Sequence, residues 1–124
     1  MLLVSTYVAP SSVHGTGVFA KRAIKKGAVV WRLDTRCDRI VSEAEYETLP
    51  GQFKRQVFDQ HATGYAGLWI VYGDHARFFN HSDKPNLRSR NPIADMIAAR
   101  AIAAGEEILV DYFSISDTAY DSPA

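Results

Sequence analysis

Arg77-Phe78-Phe79-Asn80-His81-Ser82-Asp83-Lys84-Pro85-Asn86 is the stretch on which the reading of this chain turns. Three apolar-stemmed residues lead into a run of side chains that hydrogen-bond backbone, within a polar, turn-rich region from Asp74 to Pro92. Consecutive His81, Ser82 and Asp83 invite a hydrolase reading. A working triad needs side chains that converge, however, and neighbours along a chain diverge. Taken alone, the stretch reads as a buried polar turn in which Asn80, His81 and Ser82 satisfy backbone groups.

Two further stretches stand out. Downstream, Gly105-Glu106-Glu107-Ile108-Leu109-Val110-Asp111-Tyr112 is a turn feeding a strand that ends in Asp-Tyr. A strand-terminal tyrosine is ordinarily packing with a hydrogen-bonded hydroxyl. Upstream, His14-Gly15-Thr16-Gly17-Val18-Phe19-Ala20 sets two glycines two apart, which permits positive φ or a close backbone approach to a ligand. A dinucleotide fingerprint would need a third glycine at Ala20 and a helix after it. Val18-Phe19-Ala20 reads instead as strand.

Between these stretches the chain is mostly short strands with Gly or Pro punctuation. Met1 to Val8 reads as a strand stopped by Pro10-Ser11-Ser12, and Ala28 to Leu33 as another. Leu68 to Tyr72, Ile93 to Ile102 and Glu107 to Tyr112 follow. Ser42-Glu43-Ala44-Glu45 fits a capping box that opens a helix, broken at Pro50-Gly51. Gln52 to Asp59 adds a turn or two with Phe53, Val57 and Phe58 on one face, and His61 to Gly67 reads as loop. The pattern is mainly β with one or two short helices.

Composition bounds the function. At 124 residues the chain holds one domain, 1–124, and buries enough surface to need no staple. Fourteen basic residues balance fourteen acidic ones, which argues against direct nucleic-acid binding by phosphate neutralisation. With Cys37 as the only cysteine there is no disulfide framework and no cysteine zinc cluster. No apolar run is long enough to span a bilayer. The expected setting is a soluble protein in a reducing, intracellular compartment, with no membrane partner and no metal.

In this order, the three stretches resemble the SET domain family of S-adenosylmethionine-dependent protein lysine methyltransferases. The first is similar to the family's G-x-G segment. The second matches R-F-x-N-H-S-x-x-P-N from Arg77 through Asn86, and the third matches G-E-E-[LI]-x-x-D-Y from Gly105 through Tyr112. The resemblance covers a core at 13–112, leaving a short tail at 113–124, and is closest to compact viral and bacterial forms. It implies small curled sheets with a C-terminal pseudoknot, the cofactor S-adenosylmethionine, and a lysine-bearing protein substrate such as a histone or another basic protein. It places the molecule in a bacterial cytoplasm or, for a viral protein, a host-cell interior.

By that resemblance, Gly15, Thr16 and Gly17 offer backbone to the cofactor's methionine end. Asn80 holds its amino group, His81 presents backbone to the adenine, and Phe79 belongs to the same cofactor-binding stretch. Tyr112 matches the catalytic tyrosine. Trp31, Tyr65, Trp69, Val110 and Phe113 are candidates for the substrate channel wall, with core packing as the competing role for the aromatics. Many members carry a cysteine after N-H-S that joins a C-terminal zinc site; here that position is Asp83. Phe113, Tyr120 or a second subunit in a homodimer would then close the cofactor pocket. Val110 stands where a Phe or Tyr often tunes the number of methyls added. A SET-fold protein or peptide-binding module without catalysis is the alternative.

Overall fold

The computed structural model describes residues 1–91 and 94–115, and among these it has ten short strands and a few helical turns. The strands form four small sheets. β1 (Thr6–Pro10) pairs antiparallel with β2 (Thr16–Ala20), and β3 (Val29–Arg32) joins β9 (Asp95–Ala98) and β8 (Leu87–Asn91) in the order β3-β9-β8. β4 (Arg39–Ser42), β6 (Leu68–Val71) and β5 (Ala62–Tyr65) make a second three-stranded sheet, ordered β4-β6-β5. β7 (Asn80–His81) and β10 (Leu109–Val110) form a two-residue parallel pair. The architecture is mainly β with few short helices, as the sequence implies.

Both central strands are buried on both faces. Met96, Ile97 and Ala98 of β9 are all buried, as are Trp69 and Ile70 of β6, which matches the near-continuous apolar reading of strands covered on both sides. The main core gathers Val18, Val30, Trp31, Leu87, Met96, Ile102, Ile108 and Val110. A second, smaller core holds Val41, Phe58, Ala62 and Trp69 under α1 (Glu43–Glu47) and the second helical segment. There Tyr46 stacks on Trp69, ring centroids 4.6 Å apart, and meets Phe58 edge-on at 5.1 Å.

Ser42 caps α1 as its sequence predicts, its Oγ accepting from the Glu45 N–H at 3.1 Å. Gly51 through His61 is a continuous helical run. It is α-helical at Gly51–Phe53 and Asp59–His61, with a π-helical turn at Lys54–Phe58 between them. That turn carries the Asp59 N–H to the Lys54 carbonyl.

Several boundaries differ from the sequence reading. The segment read as loop from His61 to Gly67 contains β5, closed on β6 by a two-residue turn with both residues at positive φ, Ala66 at 53° and Gly67 at 78°. That is the turn whose twist suits a hairpin. Arg39–Ser42 and Leu87–Asn91 are strands that their polar composition hides; pairing to apolar neighbours holds them. The strand expected through Tyr112 ends at Val110. Asp111 Oδ1 accepts from the Phe113 N–H at 2.9 Å, and a helical turn begins at once over Tyr112–Ile115.

Candidate functional site

The parallel β7–β10 pair explains the composition of two of the stretches. Asn80 pairs with Leu109 and His81 with Val110, and Ser82 N–H continues the ladder to the Val110 carbonyl at 3.0 Å. Asn86, 1% exposed, serves as a substitute strand. Its Oδ1 accepts from the Leu109 N–H at 2.8 Å and its Nδ2 donates to the Glu107 carbonyl at 2.8 Å. Two half-buried backbone groups are thereby satisfied.

A third contact draws in the glycine segment. Gly17 lies against the Glu107 carboxylate, where a Cβ would come within 2.4 Å of Oε2. No other residue fits there without displacing Glu107. The carboxylate accepts from Ser11 Oγ at 2.7 Å and from Asn80 Nδ2 at 3.0 Å. Asn80 Nδ2 also reaches the carbonyls of His14 at 2.9 Å and Thr16 at 3.3 Å, tying the glycine turn to β7. No hydrogen bond among the described residues uses Asn80 Oδ1.

These contacts border one cavity of about 520 Å³. Gly15, Thr16, Phe79, Asn80, His81, Val110 and Tyr112 all line it, although they come from three separated stretches. Tyr112 donates its hydroxyl hydrogen to the Phe79 carbonyl. Burial, then the negative charge of Glu107, pushes its phenol up to about 12, so the hydroxyl stays protonated at neutral pH. The Tyr112 N–H donates to His81 Nδ1 at 3.0 Å. Nδ1 is therefore an unprotonated acceptor and His81 is neutral with its hydrogen on Nε2. The 3.7 Å separation between the same Nδ1 and Asp111 Oδ1 is then not an ion pair.

The other five candidate residues within the described chain, Phe113 among them, do not line the cavity. Gly17 is buried behind the cavity wall, against Glu107. Trp31 is wholly buried in the main core, edge-on to Tyr72 at 5.3 Å, and Trp69 packs in the second core with Nε1 donating to Glu43 at 3.1 Å. Tyr65 ends β5 opposite Leu68. Trp31 and Trp69 thus take the packing role that competes with a channel wall, and Tyr65 is half-buried and does not line the cavity. Phe113 is 63% exposed, its ring 5.3 Å from that of His81. Tyr120 lies outside the described residues.

The cavity also has a wall that no motif announces. Asp59 and His61 come from the end of the second helical run, Thr63 from β5 and Tyr72 from the residue just after β6. Thr63 Oγ1 and Tyr72 Oη are 2.8 Å apart and buried. His61 Nδ1 lies 2.9 Å from the Arg77 carbonyl, and its ring meets Phe78 edge-on at 5.3 Å. The π-turn before Asp59 is the local signal that this helix end is unusual, and composition does not reveal it.

Away from the cavity, Cys37 Sγ lies 3.5 Å from Asp74 Oδ2. Burial and the charges of Asp38 and Asp74 push its thiol up to about 11, which keeps it protonated and unreactive. No helix among the described residues is long and apolar enough to cross a membrane.

Comparison with known proteins gives this arrangement a family. The sequence pattern described as SET domain matches residues 15–113. The human protein Histone-lysine N-methyltransferase 2B is 31% identical over 128 residues, an alignment covering 91% of this chain and 4% of the human one. Among solved structures, a humanized mutant of the Chaetomium thermophilum Polycomb Repressive Complex 2 bound to the inhibitor GSK126 superposes with a TM-score of 0.69 at 21% identity. It covers 93% of this chain and 16% of that one. A Plasmodium falciparum candidate histone methyltransferase superposes at 0.61 with 23% identity, over 90% of this chain and 95% of that one. At such identities the solved structures speak to the fold, while the sequence pattern runs from the glycine turn through Tyr112 and across most of the chain: this protein belongs to the SET domain family.

Proposed function

We propose that the protein transfers a methyl group from S-adenosylmethionine to the ε-amine of a lysine in a protein substrate. The observation that carries the proposal is the meeting of Gly15, Thr16, Asn80, His81 and Tyr112 at one cavity, in a chain of this family. The residues present suit the cofactor. The cavity is in the size range of small-molecule sites, and Phe79, Val110 and Ile115 supply apolar wall. The unpartnered Oδ1 of Asn80 is an acceptor for the cofactor's ammonium group, beside the Gly15–Thr16 backbone. Balanced charge is no obstacle, because the cofactor carries no phosphate.

When bound, S-adenosylmethionine supplies an electrophilic methyl group on a sulfonium. The protein's own task is to deliver a neutral amine in line with it. A free lysine, with a pKa of about 10.4, is almost fully protonated at neutral pH. Apolar walls disfavour that charge. With its hydrogen donated to the Phe79 carbonyl, Tyr112 Oη can act towards an amine N–H only as an acceptor, and in that role it aims the nitrogen.

The proposal extends to a basic protein as substrate, to closure of the pocket by the tail or by a second subunit in a homodimer, and to a C-terminal pseudoknot. The test is incubation of the full chain with tritiated S-adenosylmethionine and a mixture of core histones and ribosomal proteins, followed by mapping of the labelled lysine. Calorimetry with the cofactor accompanies it. Cofactor binding and label on lysine support the reading; no heat at millimolar cofactor favours a binding module instead.

A further inference from the structure

A lysine ammonium must lose a proton before its nitrogen can attack, and the residues already assigned do not take it. Tyr112 holds its own proton, which is donated to the Phe79 carbonyl. His81 uses Nδ1 to accept the Tyr112 N–H, so its Nε2 carries a hydrogen and has no lone pair to offer. His14 is exposed at the cavity rim, and no described residue orients its ring.

His61 is different. A carbonyl oxygen only accepts, so the 2.9 Å contact with the Arg77 carbonyl puts the ring hydrogen on Nδ1. Nε2 then bears the lone pair, and it has no partner among the described residues. The Phe78 ring packs edge-on at 5.3 Å and fixes the imidazole plane. The carbonyls that hold His61 and Tyr112 belong to Arg77 and Phe79, two residues apart on one short segment, and both side chains line the same cavity. Among neighbouring groups, Lys54 lies over the Tyr46 ring at 4.6 Å and His75 Nδ1 pairs with Thr6 Oγ1 at 2.9 Å. The charged groups that share the cavity wall with His61 are Asp59 and Arg77, with Tyr72, Tyr112, His14 and His81 as the other titratable ones.

We propose that His61 is the general base of the reaction, its Nε2 taking the proton from the substrate ammonium. The ammonium N–H bond breaks, its electron pair stays on the amine nitrogen as the attacking lone pair, and an N–H bond forms at Nε2. The resulting imidazolium returns the proton to water, which the half-buried ring can reach. The inference rests on the lysine methyltransferase reading above.

His61→Asn separates this role from a structural one, because the asparagine Nδ2 can stand where Nδ1 stood and still donate to the Arg77 carbonyl. Transfer from tritiated S-adenosylmethionine to core histones and ribosomal proteins is measured for both full-length proteins from about pH 6 to pH 10, spanning the imidazole and lysine pKa values. The expected result is a wild-type rate that falls on the acid side. The variant should lose about a hundredfold at pH 7, with the gap closing towards pH 10 as lysine loses its proton unaided. Parallel pH profiles for the two proteins overturn the inference and leave the methyltransferase reading standing. No transfer by wild type at any pH sinks that reading and this inference with it. Independently of activity, ¹⁵N spectra of the histidine-labelled chain should show the His61 signal, identified by its loss in the variant, as the Nδ1–H tautomer. An Nε2–H tautomer overturns the inference by itself.

Discussion

Tyr112 shows how much one side chain's role depends on what fixes it. Its hydroxyl donates to the Phe79 carbonyl, its backbone N–H donates to His81 Nδ1, and its ring sits 5.2 Å from that of His81. Burial and Glu107 keep the phenol neutral well beyond physiological pH. A group so held can orient an amine but not deprotonate it. Tyr112→Phe removes the orienting oxygen while leaving the ring and the N–H to His81. It should lower methyl transfer about a hundredfold, the order lost when a reacting atom is misplaced by about 1 Å. Cofactor affinity by calorimetry should change little. Full activity in this variant would remove Tyr112 from the catalytic role.

Among the elements, the β7–β10 pair is short, and side chains complete it. Asn86→Ala would leave the half-buried Leu109 N–H and Glu107 carbonyl without this partner at once. At about 1–3 kcal/mol for each of the two unsatisfied groups, the expected loss is about 2–6 kcal/mol in urea unfolding. A loss below about 0.5 kcal/mol would mean that the strand pair stands without the amide. The β5–β6 hairpin makes the opposite point, since its turn places Ala66 at φ 53°. That region costs a residue with a Cβ about 1–2 kcal/mol, and asparagine tolerates it better. Ala66→Asn should therefore raise the unfolding free energy by about 0.5–1 kcal/mol without altering the fold. An unchanged or lowered thermal midpoint would contradict the turn geometry.

At the scale of the whole molecule, the cavity is a meeting place rather than a property of any one element. Its walls come from the glycine turn before β2, the end of the second helical run, β5, the segment from Ala76 to His81, and the chain from Val110 to Ile115. A ligand that contacts so many segments binds only the folded state. S-adenosylmethionine at about a hundred times its Kd should add about 2.7 kcal/mol to the unfolding free energy. A thermal midpoint that does not move at saturating cofactor would show that the cavity is not its site.

What the sequence determined by itself is the part written in residue types with few substitutes. Asn80 belongs to a polar turn whose residue types already imply side chains that satisfy backbone groups, whereas only the fold sets Gly17 against Glu107 and Asn86 against β10. Tyr112 carries the phenol and is recognisable because its chemistry is specific, but the helical turn that Asp111 caps appears only in the fold. The α1 cap at Ser42 was legible for the same reason. Only the tertiary structure decided which aromatics pack and which line a cavity. Trp31 and Trp69 carry the same apolar surface in either role, and only their neighbours assign it. It alone placed β5 where loop was expected, because a strand of Ala, Thr, Gly and Tyr gains its stability from pairing with β6 rather than from its own composition. It alone set His61 beside the cavity with its Nδ1 hydrogen on the Arg77 carbonyl. A histidine's tautomer follows from its partner, and a partner sixteen residues away is fixed by the fold, not by the local chain.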